Sequence, residues 1–281
     1  MIKIFFVTFF LVFSLQAEVL TQNKPKNVLY EKIENLIGTK DFNTHQNLIN
    51  LLFKKSDAYH INENLNYIPI LRQLKKNGLL KLRLNQPKEI TVEFKTNDDP
   101  IKSLKILNDT LKSLGYYYYF TKQTQYDGAG NLIWSIRLKT SYALDPLVLS
   151  LELARNECKV ISITKGANDN WKYDISTAHA NISDTIFIDT NEKVVLQKPL
   201  KPYFIRINEA KTLKIVSRVL NNWYPHIVFF DEHLNVLKTV KKDRVFKGLT
   251  IKIPQTSKYI KITDLYTLIN IKRGLSIITK E

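Results

Sequence analysis

The sequence predicts an α+β protein with three parts: a small helical N-terminal region, a ferredoxin-like (split βαβ) domain and a C-terminal antiparallel β-sandwich. Three changes of pattern support this division. Apolar residues recur at helical spacing up to about residue 84, strand-like alternation and helices then share residues 87–164, and short strand-like runs follow to the end. We therefore divide the chain into residues 1–17, 18–85, 86–166 and 167–281.

The first 17 residues have the pattern of a secretory signal peptide. Lys3 precedes an apolar run from Ile4 to Leu15, and Ala17 is a small residue at the expected cleavage point. The run is shorter than the roughly 20 apolar residues that span a bilayer, and no later run is longer. We expect export to the periplasm and no further transmembrane segment. Secretion, or anchoring by an uncleaved signal, is the alternative location.

Residues 18–85 show helical periodicity. Helices are predicted over 27–37, 42–54 and 63–76, with Gly38 ending the first. Pro69 lies inside the third, so that helix is either kinked or begins later than residue 63.

Residues 86–166 have the element order of a split βαβ unit. A strand is predicted where Ile90, Val92 and Phe94 alternate with polar residues. The pairs Asp99-Pro100 and Asp145-Pro146 each place a capping acid before a proline at the first helical position. They predict helices over 101–114 and 147–156. Strands predicted over 116–126, 132–142 and 158–164 complete the order β-α-β-β-α-β.

Residues 167–281 contain short apolar runs separated by turn residues, which is typical of a β-sandwich. Strands are predicted near 185–188, 203–207, 213–219, 226–230, 236–240, 249–253, 259–262, 268–271 and 276–279.

Within this part, residues 226–263 resemble the pre-peptidase C-terminal type of β-sandwich module found in secreted bacterial proteins. The matching segments are Phe229-Phe230-Asp231, Asn235-Val236-Leu237 and Lys258-Tyr259-Ile260, and Leu234 stands where a turn glycine is usual. The resemblance implies a binding or structural module and not a catalyst.

The chain is strongly basic, with a formal net charge of +16. Such a charge favours anionic partners, and basic residues near the C-terminus, among them Lys241, Lys242 and Arg244, could face an anionic surface or glycan. Lysines outnumber arginines 34 to 8. Because recognition of bases and phosphates favours the arginine fork, we expect no nucleic-acid partner.

The residue patterns predict no catalytic residue, metal site or cofactor. Gly128 and Gly130 lie between two predicted strands, so they indicate a hairpin turn and not a phosphate loop. Cys158, the single cysteine, is predicted to be buried. Two weaker clusters leave a cryptic hydrolase as an alternative. One comprises His179, Ser183 and their neighbouring aspartates, and the other comprises His226, Asp231, Glu232 and His233.

Aromatic residues supply the remaining candidate surface. If residues 116–126 form a strand, Tyr117 and Tyr119 share the face opposite the core, and we expect another part of the chain to cover that face. Trp171, Trp223 and Tyr224 flank predicted strands and could stack on a sugar ring.

Taken together, these patterns predict an exported, non-enzymatic envelope protein. We expect it to act as an interaction, scaffold or accessory component whose partners are other envelope proteins. A module that binds cell-wall or surface glycan is the first alternative, and a cryptic hydrolase is the second.

Overall fold

The computed structural model describes residues 25–183 and 185–281. The expected signal peptide, residues 1–17, lies outside the described residues. The described chain is a mixed α+β structure that contains six α-helices and several sheets. None of its helices is both long enough and apolar enough to cross a bilayer.

Short helices open the described chain. They are α1 (Pro25–Ile37), α2 (Thr39–Thr44), α3 (Gln46–Leu52) and α4 (Tyr67–Lys76), with the two-residue strands β1 (His60–Ile61) and β2 (Asn64–Leu65) before α4. The helix predicted over 42–54 is divided at His45. Just before this break, the Thr44 hydroxyl donates to the Lys40 carbonyl oxygen (2.8 Å), a local bond that competes with regular helix geometry. Because α4 begins at Tyr67, Pro69 lies in its first turn, where no backbone donor is needed.

A five-stranded sheet follows. Its elements are β3 (Arg83–Asn97), α5 (Pro100–Ser113), β4 (Phe120–Tyr126), β5 (Asn131–Tyr142), α6 (Pro146–Arg155), β6 (Lys159–Lys165) and β7 (Trp171–Ser176). Both helix starts predicted from Asp-Pro are confirmed. Asp99 accepts from the Lys102 backbone N–H (3.1 Å), and Asp145 accepts from that of Leu147 (3.0 Å). The strand order is β4-β5-β3-β7-β6, and only β3 and β7 run parallel.

The position of β7 corrects the boundary expected at residue 167. Trp171–Ser176, which the sequence assigned to the sandwich, pairs with β3 and β6. A single turn at Ala167–Asp169, where Asn168 has a φ of 58°, returns the chain beside β6. The ring of Tyr173 then stacks on Phe94 at 5.7 Å and extends the buried row of the sheet. This sheet therefore has five strands, one more than the split βαβ pattern predicts.

The two faces of this sheet differ in chemistry. Helices α1, α4, α5 and α6 contact the sheet, and its buried row includes Phe94, Trp134 and Tyr173. The opposite face is polar, and it carries the ion pairs Arg137–Glu89 (3.3 Å) and Lys172–Glu93 (3.2 Å). Glu89, Arg137 and Lys172 on this face are exposed to solvent. For the described residues, the expectation that another part of the chain covers this face was therefore wrong.

The rest of the described chain forms two further sheets. Its strands are β8 (Ile186–Ile188), β9 (Lys193–Val195), β10 (Tyr203–Ile207), β11 (Thr212–Ser217), β12 (Pro225–Phe230), β13 (Val236–Lys241), β14 (Gly248–Lys252), β15 (Tyr259–Asp264) and β16 (Leu275–Lys280). The first sheet has the order β13-β12-β15-β10-β8, and the second has the order β14-β11-β16-β9. One hydrophobic core contains residues from both sheets, among them Ile205, Ile215, Phe229 and Ile277.

Two local predictions for this part were wrong. Leu268–Ile271 is a single 3₁₀ turn and not a strand. The Asp264 carboxylate accepts from the backbone N–H groups of Tyr266 (2.9 Å) and Thr267 (3.0 Å), so it holds the chain in a turn at that point. The pairing is also not wholly antiparallel, because β8 runs parallel to β10.

The N-terminal half (residues 25–183) and the C-terminal half (residues 185–281) pack against each other. Leu234 and Tyr259 of the C-terminal half belong to the N-terminal core. Lys105 of α5 lies over the Phe204 ring of β10, 4.7 Å from its centroid. The contact therefore places α5 against one sheet of the C-terminal half.

Candidate functional site

The tyrosine run at residues 116–119 is a connection and not a strand, so the alternation predicted for residues 116–126 was wrong. β4 begins only at Phe120. Gly115 ends α5 with a φ of 86°, and the Tyr116 backbone N–H donates to the Leu111 carbonyl oxygen (2.8 Å). These features form a helix C-cap, which fixes the start of the run to α5.

The two tyrosines proposed as a surface have separate roles. The Tyr119 hydroxyl donates to Asn108 Oδ1 (2.6 Å), and its ring meets Trp134 edge-on at 5.8 Å. Burial, with a smaller effect of Asp109, raises the Tyr119 pKa. Tyr117 is 67% exposed, and its neighbour Tyr118 is 92% exposed. Only Tyr117 of the predicted pair is therefore free to meet a partner with most of its ring.

Strand β4 continues this exposed region. All seven of its residues are exposed, including Phe120 at 75% and Tyr126 at 55%. β4 is the last strand of its sheet and pairs only with β5 among the described residues. Its single charged residue, Lys122, lies at a bulge between Thr121 and Gln123. The regular segment Gln123–Tyr126 is thus an uncharged strand edge.

The turn after β4 defines which amides face outward. Asp127 accepts from the Asn131 side-chain amide (2.5 Å) and from the backbone N–H groups of Ala129 (2.8 Å) and Asn131 (3.1 Å). The side-chain bond, followed by the backbone bonds, lowers the Asp127 pKa. The Gly-x-Gly segment is therefore a hairpin turn, as predicted. The Asp127 N–H donates to the Asn131 carbonyl oxygen (3.3 Å). Asp127 and Asn131 are therefore a hydrogen-bonded pair. Because hydrogen-bonded and non-hydrogen-bonded pairs alternate along an antiparallel ladder, the pairs Tyr126–Leu132 and Thr124–Trp134 are of the non-bonded kind. The backbone N–H groups of Thr124 and Tyr126 therefore point away from β5.

The two tryptophans proposed to stack on a sugar are buried, so that expectation was wrong. Trp171 stacks on Tyr173 at 6.3 Å in the N-terminal core. Trp223 lies in the C-terminal core, and its Nε1 donates to the Thr263 carbonyl oxygen (3.0 Å). Tyr224 is half-buried and meets the exposed Tyr266 edge-on at 5.0 Å. The indole rings offer no face to a ligand.

The predicted basic residues are exposed in the C-terminal half. Lys241 ends β13, and Lys242 and Arg244 follow it in the loop. The Arg244 guanidinium lies over the Phe246 ring at 5.1 Å. Lys241 pairs across the ladder with His226, whose pKa is lowered by burial and then by Lys241 and Lys261. These basic residues lie in the C-terminal half, whereas the tyrosine run lies in the N-terminal half.

Within the described residues, the side chains suggested for a hydrolase do not form a catalytic group, and Asp184, one of the aspartates near His179, lies outside the described residues. The Ser183 hydroxyl donates to Asn156 Oδ1 (3.0 Å), so that bond occupies it. Burial raises the pKa of the Cys158 thiol to about 12, which keeps it protonated and a poor nucleophile. Within residues 25–183 and 185–281, no three His, Cys, Asp or Glu side chains are grouped to hold a metal ion.

His233 belongs to a contact between the two halves. Its Nδ1 lies 2.9 Å from Asp99 Oδ2, and its Nε2 lies 3.3 Å from Glu232 Oε1. The hydrogen bond to Asp99 is the main reason why the His233 pKa is raised. His226 lies at the other end of β12, so the predicted four-residue cluster is divided.

A cleft of about 690 Å³ lies between α5 and the C-terminal half. We call it the α5 cleft. It is lined by Ile101, Lys105, Asp109, Lys112, Ser113, Ile182, Lys201, Pro202, Phe204, Phe230, Leu234 and Lys261. A second depression, which is also lined by Ile101 and Lys105, continues towards Tyr126 of β4. Sequence reasoning missed the α5 cleft because its walls come from segments about 100 residues apart.

Comparisons with known proteins give no family for this chain. No family profile matches it, and no curated protein matches it. Among solved structures, it is similar to a β-glucosidase from Paenibacillus barengoltzii, with 16% identity and a TM-score of 0.17. The match covers 34% of this chain and 10% of the glucosidase chain. A likeness of this extent carries no argument about fold or activity.

Proposed function

We propose that the protein is an exported, non-enzymatic component of the bacterial envelope that binds another envelope protein through strand β4. The observation that carries this proposal is the bare edge of β4. All seven residues are exposed, and two outward-facing amides lie in an uncharged segment. An extended peptide can add a strand to such an edge, with main-chain hydrogen bonds giving affinity and side-chain contacts giving specificity.

The aromatic residues beside this edge support the same function. Tyr117, Tyr118, Phe120 and Tyr126 are exposed in one short segment. Aromatic side chains are enriched at protein interfaces, and an exposed strand edge left unpaired is a hazard that proteins normally blunt. A partner strand would satisfy the Thr124 and Tyr126 amides and cover part of this aromatic surface.

Two finer assignments belong to this proposal. The order β3-α5-β4-β5, in which β5 lies between β3 and β4, supports a ferredoxin-like unit into which β7 has been added. A sandwich module of the pre-peptidase C-terminal type is supported by the turn after β12. There Asp231 accepts from the His233 and Asn235 amides (2.9 and 2.8 Å), and Leu234 takes a φ of 64°, a value suited to glycine.

The test of the proposed function removes one outward amide. The tagged full chain is expressed in its native cell, cross-linked in the envelope and purified. Thr124→Pro removes an N–H that β5 does not use, and we expect the stoichiometric partner to be lost. The control Thr124→Val keeps that N–H and should retain the partner. Equal capture by both variants, or no stoichiometric envelope partner with the wild-type chain, would contradict the proposal.

Export has its own measurement. We expect the purified protein to begin at Glu18 and to fractionate with the periplasm. A chain that keeps residues 1–17 and fractionates with the membrane would show an anchored form, and a cytoplasmic chain would refute export.

A further inference from the structure

We infer that the α5 cleft binds a single-chain amphiphile, a ligand with an apolar tail and an anionic headgroup. This site adjoins the depression that leads to β4 but is lined by no β4 residue, and it does not depend on the proposed function. The cleft has a volume of about 690 Å³, which is within the range of small-molecule sites in proteins. It also lies between two packed halves, where such sites are common.

The floor of the cleft is apolar and formed by well-fixed rings. Phe204 and Phe230 lie with their centroids 6.1 Å apart, and Phe204 stacks on the buried Tyr259 at 5.5 Å. Both phenylalanines remain half-buried and line the cleft. Ile101 of α5 is half-exposed at the opposite wall. Lys105 Nζ lies over the Phe204 ring at 4.7 Å, so an alkyl tail would lie beside this ammonium and cover the apolar surface of Phe230 and Ile101 that remains partly exposed.

The rim of the cleft is basic. Among the described residues, Lys105, Lys112, Lys201 and Lys261 line it together with one carboxylate, Asp109. Lys105 donates to Asp109 (2.6 Å). Lys112 and Lys261 make no ion pair with any side chain in the described parts of the chain. Because the lysines outnumber the acids around an apolar floor, the potential in the cleft favours an anion.

The identity of the basic residues limits the ligand class. Lysine is a compact point charge without the planar fork of arginine. The rim therefore selects negative charge and not one headgroup geometry, so a carboxylate and a phosphate monoester fit equally. The apolar floor then requires a hydrocarbon tail. The ligand is a free amphiphile and not an intact bilayer, since the floor lies between the two halves.

Titration calorimetry on the full-length processed protein tests this inference. The probes are dodecanoate and dodecyl phosphate, each below its micelle-forming concentration, and dodecanol below its solubility limit. We expect both anions to bind, and dodecanol to bind at least about tenfold more weakly because its hydroxyl carries no negative charge to pair with the lysines. Vesicles of anionic phospholipid provide a further arm, and we expect no comparable binding to them. Equal binding of dodecanol and dodecanoate, or binding to vesicles alone, would overturn the inference.

Variants at the rim locate the site. The double change Lys112→Gln and Lys261→Gln should weaken dodecanoate binding about tenfold or more, with less effect on dodecanol. Ile101→Glu adds a negative charge at an exposed position and should act in the same direction without disturbing the core. Lys242→Gln, an exposed lysine outside the cleft, is the matched control and should change nothing. Binding that these cleft variants leave unaltered, or no binding at all, would refute the site.

Discussion

The two halves of the molecule each have an exposed outermost strand, but the two strands differ in the charge that they carry along the edge. In the C-terminal half, the regular part of β13 begins at Lys238 and ends at Lys241, and Lys238 Nζ donates to the Lys252 carbonyl oxygen of β14 (3.4 Å). In the N-terminal half, the regular part of β4 has no charge and no such contact in the described chain. Lysines on an edge discourage strand addition.

The same contrast extends to the interiors. The C-terminal half is closed: its two sheets share one core, and its buried Trp223 has a hydrogen-bond partner. The N-terminal half is more open, since one sheet face is solvated and the buried Trp171 Nε1 has no partner in the described structure. The proposed β4 surface for a partner protein therefore lies on the half whose sheet has one exposed polar face.

The largest expected effect concerns backbone packing in the C-terminal half. Gly274 has a φ of 83°, and a Cβ added there would collide with the Leu196 carbonyl oxygen. We expect Gly274→Ala to lower the free energy of unfolding by roughly 3 kcal/mol or more, because left-handed strain and a backbone clash act together.

The matched control lies in the N-terminal half. Gly38 has a similar φ of 89° but no atom within 4 Å of an added Cβ. Gly38→Ala should cost only about 1–2 kcal/mol for the left-handed conformation. Urea unfolding followed by circular dichroism measures both. Similar losses for the two variants would show that the C-terminal half is not the more tightly packed one.

A smaller effect is expected from the two buried tryptophans. Trp223→Phe removes the donor to the Thr263 carbonyl oxygen, whereas Trp171→Phe removes an N–H that has no partner in the described chain. Leaving a buried group unpaired costs about 1–3 kcal/mol. We therefore expect Trp223→Phe to lower the free energy of unfolding more than Trp171→Phe, by about that amount. Equal decreases in the free energy of unfolding for the two variants, measured in the same urea experiment, would show that the two tryptophans do not differ in hydrogen bonding.

The smallest expected effect concerns the contact between His233 and Asp99, which joins the two halves, and it depends on pH. Because Asp99 raises the His233 pKa above its ordinary value, the pair stabilises the fold fully below about pH 6.5. That contribution is lost as the pH rises through the raised pKa. The side chain is largely exposed, so we expect only about 0.2–1 kcal/mol.

His233→Gln isolates this pH dependence. The difference in unfolding free energy between wild type and this variant should shrink from pH 5.5 to pH 8.5. Asp99→Asn keeps a capping side chain for α5 but removes the negative charge, and it should reduce the same dependence, leaving only the smaller effects of Glu232 and Asp231 on the His233 pKa. A difference that grows with pH would have the wrong sign for the contact.

Local signals in the sequence were sufficient for much of the fold. The two Asp-Pro helix starts, the β3 alternation and the glycine hairpin depend on residues that are neighbours in the chain. Pairing over long distances was not predictable in this way. The alternation at Trp171–Ser176 fits a strand in either half, and only contact with β3, about 80 residues earlier, decides between them.

The candidate sites show the same limit. Burial of Trp171 and Trp223 depends on what packs over each ring, which neighbouring residues do not specify. Tyr117 was found from the sequence because its run is conspicuous, but the extent of the bare edge became visible only from the order of the strands. The α5 cleft joins side chains from helix and sheet, and no motif within either segment indicates it.

The insertion of β7 between β3 and β6 has a consequence for biosynthesis. The second edge of β3, a central strand, stays unpaired until residues 171–176 have been made. Any chain that ends before this point exposes a long strand with an open side, and such species aggregate. A truncated product that stops at residue 166 should therefore precipitate on expression, whereas one that extends to residue 183 completes the sheet and should precipitate less.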